Sequence, residues 1–576
     1  MRNFKLPSKK EIDFVFISFS KKERVVFVGL VIVLLFSTIL ILESINKSFM
    51  VQVPMRGGSI SIGIAGIPRF INPILANSSA DQNLVSLIYS GLMRKNRDGI
   101  LIPDLAEKYE MSKDGLTYTF ILKDNLYFQD GRSVTVEDIL FTVNKVKDGL
   151  ISSPRKVDWN GISAEKTDAR TVKFILKQPY ASFLENTTLG IMPAYLWDNS
   201  PVELNNANTN PIGSGPYMIS SVNKQSSGII DYYELTSFKK FILGEPYIKN
   251  IYLHFYQNED ELVQALMDKK VEEISSISPQ NAQILKSKNH QVESSVLPRV
   301  FGLFFNQNQN QLFIDKTIIK AINQVIDKER IVEEVLAGYG VVIDSPIPTS
   351  MIQYHKSSTA TDVTRVDLLK KVQDDLAKAG WKKNTDGFLE KTVTEKKKKV
   401  QKKLEFSIST GNVPELAKTA ELIKNDLLEI GMKVDVKTFE TGNLNQSVIR
   451  PRKYDALLFG EIINHESDLF AFWHSSQRKD PGLNVAMYTS AKVDKILEEA
   501  SVTVDEQART KKYVQFEDEI RKDMPAIFLF NPNFVYIVSK NLKESKVMNI
   551  LSPSERYLNV YLWYTETEKV WKIFTR

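Results

Sequence analysis

Five polar residues stand together at the end of one apolar run in this 576-residue chain. The run, YDALLFGEIINHESDLFAFW, starts at Tyr454, and past Gly460 it supplies Glu461, Asn464, His465, Glu466 and Asp468. With His474 they invite a metal-site reading, but His-Glu-Ser-Asp-Leu is not HExxH and the spacing fits no common zinc pattern. The plain alternative is an ordinary solvated loop. For catalysis the chain offers no GxSxG elbow, no Walker loop and no GxGxxG after a strand. With five histidines a scattered Ser/His/Asp set stays open, and no pattern supports one. The cysteine count of 0 removes disulfides, thiolate metal sites, cysteine nucleophiles and a lipid-bearing cysteine together. The expectation is no enzyme, no metal and no cofactor.

What positions that cluster is a strand. Ala456 to Phe459 has no polar alternation, as expected of a central strand covered on both faces. Upstream, Leu404, Phe406 and Ile408 alternate. Pro414 then stands at a helix start, and Leu416, Ala420, Ile423, Leu427 and Ile430 recur at helical spacing. Gly431 ends that helix, and Met432, Val434 and Val436 alternate again, which makes a right-handed βαβ crossover with parallel pairing. Ligands in open α/β sheets sit beyond the carboxyl ends of the strands, where Glu461 to Asp468 stand. Elsewhere Tyr118, Phe120, Leu122 and Val172, Phe174, Leu176 alternate as half-buried strands, and Thr135 caps a helix that buries Ile139, Leu140, Val143 and Val146. Asp367 to Trp381 reads as a further amphipathic helix, and EKKKKVQKK from Glu395 as a solvated hairpin or loop, adhesion to an anionic surface being the other reading.

The chain is 43% hydrophobic and long enough for more than one core. Its 75 Lys+Arg against 69 Asp+Glu leave a formal +6, too little at this length to imply nucleic acid. Val25 to Leu42 carries no charge and would span about 27 Å as a helix, close to the roughly 30 Å of a hydrocarbon layer. Lys9, Lys10, Lys21, Lys22 and Arg24 precede it and Glu43 follows, so the positive-inside bias puts the N-terminus in the cytoplasm and the body outside. A signal peptide is the rival reading, but its apolar region would be shorter and ILESINKSF offers no small-residue cleavage pattern.

Leu87 to Asp148, LIYSGLMRKNRDGILIPDLAEKYEMSKDGLTYTFILKDNLYFQDGRSVTVEDILFTVNKVKD, resembles the family 5 extracellular solute-binding proteins, the oligopeptide and dipeptide receptors of ABC importers. A "GL" turn, "PDLAE", "DGLTYTF", "F.DG" and a "T..D..FT" helix follow one another with family-like spacing. NPIGSGPYMI is similar to the family's "GTGPY" turn, and LAKAGW with NTDGFLEK to its "AGW...DG" helix and turn. The resemblance implies an α/β, two-lobed type II periplasmic-binding-protein fold with an extra subdomain, preceded here by one N-terminal transmembrane helix. The implied plan is a basic tail (1–24), an anchor (25–42), a stalk (43–57), lobe I (58–76, 205–297 and 530–565) with its extra subdomain (77–204), lobe II (298–529) and a C-terminal tail (566–576). Its implied partners are a peptide or similar small solute, an ABC permease with its ATPase, and the membrane of a bacterium on its periplasmic or outer face. A surface sensor or chaperone-like module without transport is the other function such a fold would serve.

The family commonly pairs the peptide's ammonium with an aspartate in a "GW...D" segment. Here Glu461 stands in place of the tryptophan, and Asn464 roughly where the aspartate is expected. Three possibilities are open: Glu461, Glu466 or Asp468 takes over the pairing, the ligand has no free ammonium there, or the loop touches no ligand. The same register proposes Asn77, Ser78 and Ser79 as first-lobe contacts, with Ser79 alternatively a helix cap. Arg155 is a carboxylate receptor or a solvent-facing residue, and Asn306 a contact or a hinge residue bonding backbone.

Overall fold

The computed structural model describes residues 8–198, 200–349, 351, 364–395, 398–547 and 550–574. The first seven residues of the basic tail, positions 396–397 of the lysine-rich run and the last two residues lie outside that set. The chain divides into two compact units, Met1–Arg56 with Tyr564–Arg576, and Gly57–Trp563.

In the first unit the helix Lys9–Ser18 precedes the helix Lys21–Phe49, which is long and apolar enough to cross a membrane. Its start is fixed by Ser20, whose N–H donates to Glu23 Oε2 at 2.8 Å, while the Glu23 N–H donates back to Ser20 Oγ at 3.4 Å. That reciprocal cap satisfies two of the amides that any helix start leaves free. The helix continues past the expected anchor, and the stalk and tail are not independent segments. Met50–Pro54 pairs antiparallel with Thr567–Trp571, Met50 opposite Trp571 and Pro54 opposite Thr567.

The second unit is organised by one large mixed sheet. From one edge its strands run Lys433–Phe439, Glu405–Gly411, Ala456–Ile462, Arg299–Phe305, Ala526–Val538, Glu273–Ile274, Gly57–Ala65, Ile248–Tyr256, Ile230–Ser237 and Tyr217–Lys224. The βαβ unit forms as its periodicity requires: Glu405–Gly411 and Lys433–Phe439 are parallel, and the helix Pro414–Glu429 joins them. Gly431 sits at φ +88°, where a Cβ would also come within 2.9 Å of the Gly387 carbonyl oxygen, so the stop needs glycine. Ala456–Ile462 lies between Glu405–Gly411 and Arg299–Phe305, which makes it the central strand its composition predicts.

The cores separate along this sheet. One cluster gathers Ile60, Leu84, Phe120, Phe174, Tyr233, Leu253, Tyr536 and Trp563. Two others, holding Ile322, Ile423 and Leu458, and Val300, Leu457, Trp473 and Phe516, lie between Val300 and Phe530. A two-lobed periplasmic-binding-protein fold results, and below, lobe I names the half around the first cluster and lobe II the half around the other two. The long strand Ala526–Val538 belongs to both, pairing first with Arg299–Phe305 and then with Gln291–Val296. Where it passes between them, buried Asn531 donates to the Arg299 carbonyl at 2.6 Å, tying the two crossing segments together. Within lobe I, the helix Val136–Lys147 begins as expected at Thr135, whose N–H and hydroxyl both donate to Asp138 Oδ2, at 2.9 and 2.8 Å. In the lysine-rich run, Lys398–Lys403 pairs antiparallel with Leu389–Glu395.

Candidate functional site

A cavity of about 340 Å³ opens beside the carboxyl end of Ala456–Ile462, adjoined by a second of about 140 Å³. The larger volume lies at the lower end of the range typical of small-molecule sites. Lobe I supplies most of its wall, including Asn77, Gln82, Lys95, Arg155, Asp158, Trp159, Glu185 and Glu555, and lobe II supplies Asn464 and His465.

The charged groups divide into those bound to one another and those left over. Lys95, in the buried strand Met93–Lys95, places Nζ 3.5 Å from Glu185 Oε2 and 3.6 Å from Glu555 Oε1. His465 Nδ1 lies 2.8 Å from the same Glu185 oxygen, so this bond joins the lobes. Burial alone would pull the His465 imidazole down, but the Glu185 hydrogen bond and the nearby charges of Glu185, Asp468 and Asp158 outweigh it and hold it above its ordinary value. Burial pushes Glu185 up, and His465 and Lys95 more than reverse that, leaving it low. Arg155 and Asp158 are different: among the described residues neither side chain makes a hydrogen bond or an ion pair. They sit three apart on one tight turn, with the Asp158 N–H donating to the Arg155 carbonyl at 3.2 Å, and residues three apart in such a turn lie on the same side. Burial raises Asp158, opposed by the charges of Arg155 and His465.

The acids expected to replace the missing aspartate are committed elsewhere. Glu461 is a strand residue on the same face as Leu457, opposite Val300, and so points into the second lobe's core, 1% exposed, with neither carboxylate oxygen bonded to any of the described residues. The parity of the strand, not the loop, decides this: side chains two apart share a face. Glu466 receives Arg509 Nε at 2.6 Å. Asp468 accepts the Asn464 and His465 amides at 2.8 and 2.9 Å, folding the loop on itself, and does not line the cavity. Ser78, not Ser79, caps the helix Ser79–Ile88; the Asp81 N–H donates to its hydroxyl at 3.1 Å, and neither serine lines the cavity. Asn306 stands at the other end of its strand, because Arg299–Phe305 runs antiparallel to Ala456–Ile462. There its amide donates to the Arg452 carbonyl at 2.8 Å, far from Ile462 in register. Asn77, Arg155 and Asn464 do line the cavity. Lys95, Asp158, Glu185 and Glu555 were not foreseen, and only the pair Arg94-Lys95 inside an otherwise strand-like stretch gave a local hint. Among the described residues no group of three or more His, Cys, Asp or Glu could hold a metal.

Residues 101–481, well over half the chain, match the family described as bacterial extracellular solute-binding proteins, family 5 Middle. The chain belongs to this family. Among family 5 relatives it is similar to the oligopeptide-binding protein AppA of Bacillus subtilis (strain 168), 27% identical over 530 residues that cover 89% of this chain and 92% of that one. The structure of AppA with a nonapeptide superposes with a TM-score of 0.65 at 26% identity, over 89% of this chain and all of that one (100%). NikZ from Campylobacter jejuni in complex with Ni(L-His) gives 0.67 at 27% identity, over 88% and 99%.

The bond across the lobes makes a pH prediction. A raised imidazole contributes fully below its ordinary value near 6.5 and loses that contribution as pH rises through its higher value in the folded chain. The His465–Glu185 contact is therefore expected to weaken on the alkaline side by about 1.5–3 kcal/mol, the usual worth of a hydrogen bond to a charged group. Hydrogen exchange of the Asn464–Asp468 loop across a pH series measures it. The expected result is faster opening at high pH in the natural chain and no such dependence in Glu185→Gln.

Proposed function

We propose that this chain is a membrane-anchored extracellular solute-binding protein, which captures peptides or similar small solutes between its lobes and delivers them to an ABC permease. Lys21–Phe49 is the anchor, with the body on the extracytoplasmic side. The domain limits proposed are those of the sequence plan, with the two-stranded ribbon in place of a free stalk and tail. The observation that carries the reading is the cavity edged by both lobes, in which, among the described residues, the Arg155 and Asp158 side chains make no hydrogen bond or ion pair with the protein. Burying a peptide's charged ends requires opposite charges to meet them. Arg155 meets a carboxylate, Asp158 meets an ammonium, and the amides of Asn77 and Asn464 bond the main chain. The ammonium site thus moves from lobe II, where Asn464 cannot neutralise it, to lobe I. The lobes close by turning about the segments near Val296–Arg299 and Phe530–Phe534, and ligand shifts that equilibrium by its preference for the closed form. The binding proteins among its relatives support a carrier role without chemistry on the ligand.

Calorimetry with a pool of short peptides tests this. Free-ended peptides are expected to bind, and Asp158→Asn or Arg155→Gln to weaken them by about 2 kcal/mol, roughly thirtyfold. Asp158→Asn should lose discrimination against N-acetylated peptides and Arg155→Gln against C-amidated ones. Equal affinity of blocked and free peptides for the natural chain would refute the assignment.

A further inference from the structure

The unit formed by Met1–Arg56 and Tyr564–Arg576 ends in an apolar surface that its own folding leaves open. Trp571 is 45% exposed, Ile573 77% and Phe574 74%, three large side chains within four residues. They are held beside the end of the apolar helix, because Trp571 pairs with Met50 and its Nε1 donates to Asn46 Oδ1 at 2.8 Å. Ile45 and Phe49, on the last turns of the same helix, are also exposed, at 49% and 57%.

The level of this patch is fixed by the helix. The uncharged run ends at Leu42, and Asn46 lies four residues further, about 6 Å along the axis. A bilayer's polar layer extends roughly 5–7 Å beyond the hydrocarbon on each side. Trp571, bonded to Asn46, stands at the depth where tryptophan is enriched: its indole N–H is satisfied and its ring is free to meet acyl chains. Lys47, next to Asn46 and paired with Glu43 at 2.6 Å, and Lys569 and Lys572, two and one positions from Trp571, are exposed, and lysine near a membrane surface is drawn to anionic lipid.

We propose that Trp571, Ile573 and Phe574 enter the lipid interface beside the span, making the chain's C-terminal end a second contact with the same membrane. This rests on reading Lys21–Phe49 as a span. The partner is the boundary between headgroups and acyl chains, and the ribbon Met50–Pro54 with Thr567–Trp571 is what delivers the patch to it.

The absence of cysteine makes the test direct, since any single cysteine introduced is the only labelling site. The full chain is reconstituted in phosphatidylethanolamine–phosphatidylglycerol vesicles and labelled with an environment-sensitive fluorophore at Phe574→Cys, at Leu35→Cys within the span, and at Leu204→Cys on the body. Lipids spin-labelled at shallow or deep positions serve as quenchers. The expected result is deep quenching at 35, shallow quenching with a blue-shifted emission at 574, and neither at 204. A water-like signal at 574 with deep quenching at 35 overturns the inference and leaves the span standing. A water-like signal at 35 overturns the span itself and the inference with it.

Discussion

Arg556→Met is expected to destabilise the body by about 3–5 kcal/mol, the usual cost of leaving one partner of a buried ion pair alone. Arg556 and Glu273 are both 0% exposed, and Arg556 Nη2 donates to Glu273 Oε2 at 2.8 Å. The guanidinium also lies 4.5 Å from the Tyr536 ring centre, 4.9 Å from Tyr557 and 5.4 Å from Trp563, a cage that packs its flat faces. Burial pushes Glu273 up, partly countered by Arg556, so removing the arginine leaves an acid with little reason to ionise. The pair also fastens the segment bearing Ser552 and Glu555, part of the cavity wall, to the strand Glu273–Ile274 of the sheet. Urea unfolding of Arg556→Met, Glu273→Met and the double variant measures the coupling. Each single variant should lose about 3–5 kcal/mol, and the double variant should recover part of that, because two apolar residues leave no orphaned charge. Additive losses would show that the pair is not a unit.

The second large effect has the opposite sign. Glu461→Met is expected to stabilise the chain at neutral pH by at least about 1–3 kcal/mol, the usual cost of a buried polar group left without a partner. Burial holds the Glu461 carboxyl well above the ordinary carboxylate range. For an acid raised on folding, the cost is absent below its unfolded value near 4.3 and grows by about 1.4 kcal/mol per pH unit until the folded value is reached. Methionine follows the same unbranched path and fills the same space without a polar end. Thermal unfolding of both chains near pH 4.5 and pH 7.5 checks this: the gap should be small in acid and wide at neutral pH. A constant gap, or a less stable variant at pH 7.5, would mean that Glu461 has a partner in solution.

These two residues show how far the sequence could be read. The βαβ unit from Leu404 to Val436 and the apolar helix were legible because each rests on local periodicity. The family motifs between Leu87 and Asp148 gave the lobes. Glu461 was readable in principle, since Leu457, Phe459 and Glu461 share a strand face, yet a carboxylate next to a polar loop is naturally assigned to the loop. The cavity was not readable, because its wall is assembled from segments near 77, 95, 155, 185, 464 and 555. Whether a charge is spent on a neighbour or left for a ligand depends on such distant pairings: Lys95 with Glu185 and Glu555, Glu466 with Arg509. Asn306 was misplaced for a similar reason, because only strand direction tells which end of Arg299–Phe305 faces the ligand side.

The central claim is that a small solute bound between the lobes draws them together. Gly115 of lobe I lies against Val504 of lobe II, where an added Cβ would come within 2.6 Å of Val504 Cγ2, so the distance between these segments follows closure. Spin labels on Lys113→Cys and Glu506→Cys, both exposed positions in a chain otherwise free of cysteine, report it by pulsed electron resonance. With a pool of free-ended di- to pentapeptides, the distance distribution is expected to narrow toward its short end in the natural background and to stay unchanged in Asp158→Asn with Arg155→Gln. Identical distributions with and without peptides in the natural background would contradict the account.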